Sequence, residues 1–327
     1  MKCGRPGRFR APRRIRKLPL AKLLLPLFSA TFLLLSPVIA NAGTSGTIDL
    51  FPSFLRCCEN SPLGRQERAE LFSEDLIQAY PEIYHRPGVF MTDPKTLGSY
   101  LDEVKRYLPA MKKIHARLQG EFESIEQSFC THFPDFNLSR VKVYLMLSLF
   151  RFDGKIPHDD PNTLFLALDG LAKFHGADAN LGVILSHELF HLYHFQVNAL
   201  PATTDDIPLY RQIWQEGLAT YVSTLLNPSA SLSEVLLDPQ LARDGPKYIS
   251  QAAHNLLTQL ESTDDAPAAR YLSYRRGSAP PSRMGYLVGY RVAAHLAATQ
   301  SLEELSRLRG QRLLKLFRRE VQAMASP

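Results

Sequence analysis

Ser186-His187-Glu188-Leu189-Phe190-His191, followed downstream by Trp214-Gln215-Glu216-Gly217-Leu218-Ala219-Thr220-Tyr221, decides how this chain is read. The first stretch is H-E-x-x-H. A helix carries residues four apart on one face, so both imidazoles leave the same side one turn apart, a spacing that suits a single zinc ion. Glu188 projects about 100° round the helix from His187, beside such a metal, where it can take a proton from an attacking water. Between Leu181 and Phe195 nearly every other position is apolar. A helix apolar all round is buried, and two histidines and a glutamate inside it are costly unless paired or bound. A metal meets that need. The bland alternative is a set of hydrogen-bonded core residues.

Catalytic zinc usually takes three protein ligands and keeps one position open. Glu216 lies 25 residues after His191, enough for a loop and the start of a second helix, and is the candidate third ligand. Gly217 and Ala219 are small enough to let this second helix approach the first closely.

With both stretches in view, the chain resembles the gluzincin branch of zinc metallopeptidases. In that branch H-E-x-x-H is followed by a glutamate ligand on a later helix, often as E-G-x-A-x-Y, and Glu216, Gly217, Ala219 and Tyr221 match. The resemblance spans roughly residues 140 to 295 and is closest to predicted zinc-dependent proteases. It implies an α+β, zincin-like fold: a small mixed β-sheet packed on the H-E-x-x-H helix, with a mainly helical C-terminal half. It also implies one zinc ion per chain on His187, His191 and Glu216. Gly285-Tyr286-Leu287-Val288-Gly289-Tyr290 is similar to a stretch in those proteases. Peptide hydrolysis needs an oxyanion donor besides the metal, so Tyr290 or Tyr286 is expected in that role, with His254 a weaker candidate. The alternative for both tyrosines is core packing.

Two departures stand out. Thermolysin-type gluzincins carry Asp four residues after the glutamate ligand, and here that position is Thr220. The metzincin pattern needs Gly and His where this chain has His194 and Val197, so that reading fails. His194 lies two turns from His187, about 10 Å along the helix, too far to share the metal. It is read as an outer partner or, preferably, as a satisfied, partly buried histidine.

The first 42 residues hold nine Lys or Arg and no acid, and an apolar run from Leu23 to Ala40 ends in Ala40-Asn41-Ala42. This is the order of a secretory signal peptide, with cleavage expected near Ala42 and export to the periplasm or outside; an uncleaved anchor is the alternative. Without that leader the net charge of +6 becomes about −3, so the basic balance implies no nucleic-acid partner. The expected partner is a peptide or protein substrate. Export permits a disulfide, and the bridge expected is Cys57 or Cys58 to Cys130. Zinc on these cysteines is disfavoured by the lack of a C-x-x-C spacing.

The remainder divides into a helical region, 43–135, and a metallopeptidase core, 136–327. Residues 64–80 read as a helix stopped by Pro81. A longer helical stretch starts at Asp93-Pro94 and carries apolar residues at steps of three and four to Phe129, with a kink expected at Pro109. Val141–Phe152 alternates as a strand, Asp153-Gly154 reads as a turn, and Thr163–Leu168 reads as a second strand before the metal helix. His158, Asp159 and Asp160 form a polar loop, read as a solvated turn in preference to extra ligands. Residues 261–285 read as a long loop over one face, and Ser301 with Glu304 as a capping box opening a helical tail to about residue 323.

The expected activity is hydrolysis of peptide bonds, with Glu188 as the base. Three alternatives stay open: a zinc hydrolase of non-peptide or cell-wall amides, a non-catalytic binding protein on the same fold, and a purely structural zinc site.

Overall fold

In the computed structural model, residues 45–59, 63–86, 94–157, 159–198, 207–275 and 277–326 are described. The proposed leader and His158 lie outside them. Strand β1 (Gly46–Asp49) leads into α1 (Phe51–Glu59), α2 (Arg65–Phe72), a π-helical turn over Ser73–Gln78 and α3 (Pro81–Tyr84). Then come α4 (Pro94–Val104) and α5 (Leu108–His132). The apolar stripe from Leu97 to Phe129 is therefore split over two helices. Pro109 starts a new helix where a kink was expected, because proline lacks the N–H an interior position needs and suits a first turn.

Strands β2 (Lys142–Met146), β3 (Gly154–Lys155) and β4 (Thr163–Ala167) complete a four-stranded sheet in the order β1-β2-β4-β3. β1 and β4 run parallel to β2, with Ile48 opposite Tyr144 and Leu145 opposite Leu166. β3 is antiparallel to β4 and forms an edge. The sequence pattern missed β1, and β2 is shorter than the alternation implied. The chain leaves β2 at Leu147 and turns through Leu149 and Phe150, both in the left-handed region. Asp169 pins that turn, its buried carboxylate accepting from the backbone N–H groups of Ser148 and Phe150, each at 2.8 Å, and from the Tyr100 hydroxyl at 3.1 Å. Gly154, expected in a turn with Asp153, instead begins the edge strand.

Helix α6 (Leu168–Phe174) separates β4 from α7 (Leu181–Asn198), the helix that carries H-E-x-x-H. Leu185, Leu189, Phe190 and Leu192 are fully buried, contributing on the order of 1.5–3 kcal/mol each. After α7 come α8 (Leu209–Leu226), α9 (Leu232–Val235), α10 (Pro239–Leu257), α11 (Asp265–Leu272) and α12 (Met284–Leu296). The tail is α13 (Leu302–Ser306) and α14 (Gly310–Ala325). The Ser301–Glu304 capping box forms as expected, but it opens only α13, so the tail is two helices. The stretch 261–285 contains α11, which the polar composition concealed.

Helices α8 and α12 meet at glycine. A Cβ on Gly217 would lie 2.1 Å from the Gly289 carbonyl carbon, and one on Gly289 would lie 2.3 Å from the Ile213 carbonyl oxygen. The closeness that Gly217 permits is thus toward α12, not toward α7 as expected. Cys57, Cys58 and Cys130 are all free thiols, so the expected disulfide is absent. Glu59 at the end of α1 pairs with Lys112 near the start of α5, and Cys130 is 18 residues further along that helix, about 27 Å away. Among the described residues no helix is long and apolar enough to cross a membrane.

Candidate metal centre

α7 presents His187 and His191 to one side, and α8 brings Glu216 up to them. The two Nε2 atoms stand 3.0 Å apart, and Glu216 Oε2 lies 3.3 Å from His187 Nε2 and 3.6 Å from His191 Nε2. Ligand atoms about 2.0–2.1 Å from a tetrahedral zinc sit about 3.3–3.4 Å from one another. The triangle fits that ion. Two ring nitrogens facing each other across 3.0 Å beside a carboxylate are otherwise a poor arrangement, since at most a shared proton or two can join them. No other group of three or more His, Cys, Asp or Glu among the described residues meets the same test.

The charges agree with a cation site. Burial would raise Glu216, but the two histidines outweigh it and hold its carboxyl well below the usual range. Burial draws the His187 imidazole down, and Glu216 only partly offsets this. At His191 burial acts the same way, yet the neighbouring Glu216 wins and its affinity for protons rises. Burial also pushes Glu188 up to about 8, with His191 opposing and Asp153 and Glu216 adding.

Glu188 is held against the edge strand. A Cβ on Gly154 would lie 2.6 Å from Glu188 Oε1, so a larger residue there would force this carboxylate to shift. The preceding residue, Asp153, bonds His175 Nε2 at 2.5 Å and accepts from the Gly154 N–H at 2.8 Å. Sequence reading missed all three, because a D-G pair is an ordinary turn signal and His175 lies outside any motif.

Glu188 and the three candidate ligands open onto a cavity of about 1230 Å³. β3 and its flanking loop contribute one part of the lining, and α11 and the start of α12 another. The stretch 261–285, expected as a long loop over one face, thus contributes to the lining, partly as helix. Of the two tyrosines, Tyr286 lines this cavity and its ring lies nearly parallel to His187, centroids 6.4 Å apart. Burial raises its phenol well above the usual range, so it remains an O–H donor. Tyr290 is one turn further on and packs against Tyr221 instead, away from the cavity lining. His254 is exposed on α10 and takes no part in the lining.

Arg283 belongs to the same lining. It adopts a left-handed conformation at the N-cap of α12, its guanidinium lies 3.9 Å from the Tyr286 ring centroid, and it donates to the Leu236 carbonyl at 3.2 Å. Thr220 donates to the Glu216 carbonyl at 2.8 Å, closing its own helical turn and not supporting a ligand histidine. His194 is buried against Phe190, and neither ring nitrogen has a hydrogen-bond partner among the described residues, so it is not the satisfied histidine expected. Asp159 pairs with Arg86, and Asp160 accepts from Thr163 Oγ1 at 2.6 Å, as in a solvated turn.

Compared with known proteins, the chain matches no family model, no curated protein and no solved structure.

Proposed function

We propose that this protein is a zinc-dependent peptidase of gluzincin type on a zincin-like fold. The observation that carries the reading is the His187–His191–Glu216 triangle with Glu188 beside it, opening on a cavity bordered by a sheet edge. His187, His191 and Glu216 would hold the ion, one per chain. Zinc there supplies Lewis acidity, lowering the pKa of water and polarising the scissile carbonyl.

The chain's own residues account for the rest. Glu188, placed by Gly154 at the edge strand, takes a proton from the attacking water and passes it to the leaving amine. Tyr286 donates a hydrogen bond to the oxyanion as charge develops. β3, a short edge strand lining the cavity, is placed to align a peptide in extended form, a mode of binding with little demand on sequence. The basic and apolar leader supports export, with action in the periplasm or outside the cell. A zinc hydrolase of cell-wall amides would use the same groups, and a substrate panel separates the two.

The test is elemental analysis of the purified protein beside Glu216→Ala and Glu188→Ala, followed by a peptide panel. The expected result is about one zinc per chain, weakened by Glu216→Ala and kept by Glu188→Ala, with peptide cleavage lost in both. No zinc in the unaltered protein after supply of the metal would overturn the reading.

A further inference from the structure

The cavity lining carries both acids and cations, Glu188, Asp265 and Arg151 among them, and not all are paired. Asp153 is held by His175, Glu216 by the two candidate ligand histidines, and Asp238 caps α10 by accepting from the Leu241 N–H at 2.9 Å. Among the cations, Lys173 pairs with Glu103 and Arg243 with Asp244. Lys155 and Arg283 both line the cavity and neither has a carboxylate within ion-pair distance among the described residues, although Glu216 and Asp153 lie near enough to favour the charge of Arg283.

Their positions are informative. Lys155 is half-buried on β3, next to the glycine that faces Glu188, and its ammonium lies 5.7 Å from the Phe152 ring centroid. Arg283, at the start of α12, is stacked on Tyr286, which in turn stacks on His187. Two cations without a close carboxylate thus line the cavity beside the candidate metal centre, Lys155 being the one on which no acid among the described residues acts. A cation withdrawn from water without a counter-ion is unfavourable, and a carboxylate brought by a ligand relieves it.

We infer that Lys155 and Arg283 select peptide substrates carrying carboxylates near the scissile bond. The inference rests on the peptidase reading and names its substrate class. Burial, with Arg86 and Arg151 nearby, lowers the Lys155 ammonium below its usual range, which a bound carboxylate would reverse. Lys155 can be replaced with little structural cost, since it is half-exposed on a two-residue strand.

The experiment measures binding apart from turnover. Fluorescent nonapeptides that differ only in acidic, neutral or basic flanking residues are titrated into zinc-loaded Glu188→Gln protein, followed by anisotropy. Each is made with a free and an amidated C-terminus, to separate side-chain from terminal carboxylates. The acidic peptides should bind about tenfold or more tighter than the neutral ones, with the difference shrinking in salt. Lys155→Glu should abolish or invert the preference and Lys155→Arg should keep it, with zinc content unchanged. A preference for the free C-terminus alone would assign the same cations to the terminal carboxylate and overturn side-chain selection. Equal affinity for acidic and neutral peptides, or a preference that survives Lys155→Glu, overturns the inference. Cleavage of the same peptides by the unaltered protein is scored separately. Acidic preference in binding with no cleavage would fail the peptidase reading while leaving the carboxylate site standing.

Discussion

His191 and His194 lie three residues apart on α7, and the molecule treats them in opposite ways. His191 faces the cavity, where Glu216 stabilises its charged form despite burial. His194 faces the core, stacks on Phe190, and is pulled down to about 3 by burial, with His191 and Arg211 adding. The residue type is the same and both are sequestered from solvent. A carboxylate within 4 Å on one side of the helix, and none on the other among the described residues, makes the difference. A histidine's role is therefore fixed by what the neighbouring helix brings to it.

The largest way to break this contrast is at Glu188. Glu188→Gln should cut peptide hydrolysis about a thousandfold or more, while zinc content and melting temperature stay close to the unaltered protein. Normal turnover in that variant would remove the cavity side's claim to chemistry. Next comes the support that brings α12 to α8. Gly217→Ala places a methyl group into the Gly289 backbone and should cost about 3 kcal/mol in a denaturant titration. A smaller effect separates the two tyrosines: Tyr286→Phe should lower kcat about a hundredfold, whereas Tyr290→Phe should change it less than about threefold. Equal losses in both would mean that cavity lining does not distinguish them.

The core side is sharpened by pH. His194 has its affinity for protons depressed on folding, so the unfolded chain binds the extra proton between about pH 6.5 and 3. Its contribution to stability is complete above pH 6.5 and falls by up to about 1.4 kcal/mol per unit as the pH drops through that window. His194→Leu should remove that part of the acid sensitivity, read as the slope of unfolding free energy against pH from parallel denaturant titrations. An unchanged slope would show that His194 is not held neutral.

Much of the candidate site was legible because its geometry is local. Two histidines at i and i+4 on a helix must share a face whatever surrounds them, and Glu216 stood out beside small residues in a second helical segment. What escaped depended on long-range packing. Gly154 looks like half of a turn until the Glu188 carboxylate is seen against it, and the choice between Tyr286 and Tyr290 is a rotation of one turn on α12. The fold follows the same division. The period of the apolar stripe marked helix from Leu97 to Phe129, but β1 is four residues of mixed polarity that become a strand only by pairing with β2, about 96 residues later.

The edge strand β3 has one more consequence, for self-association. A free strand edge is a template on which any extended chain can continue the sheet, including another copy of the same protein. β3 spans only Gly154 and Lys155, Pro157 follows closely, and both strand residues line the cavity. An edge of that length, ending near a proline and carrying a lysine, holds too few main-chain groups to seed stacking between molecules. The rim that could receive a guest strand is thereby kept from becoming a point of aggregation.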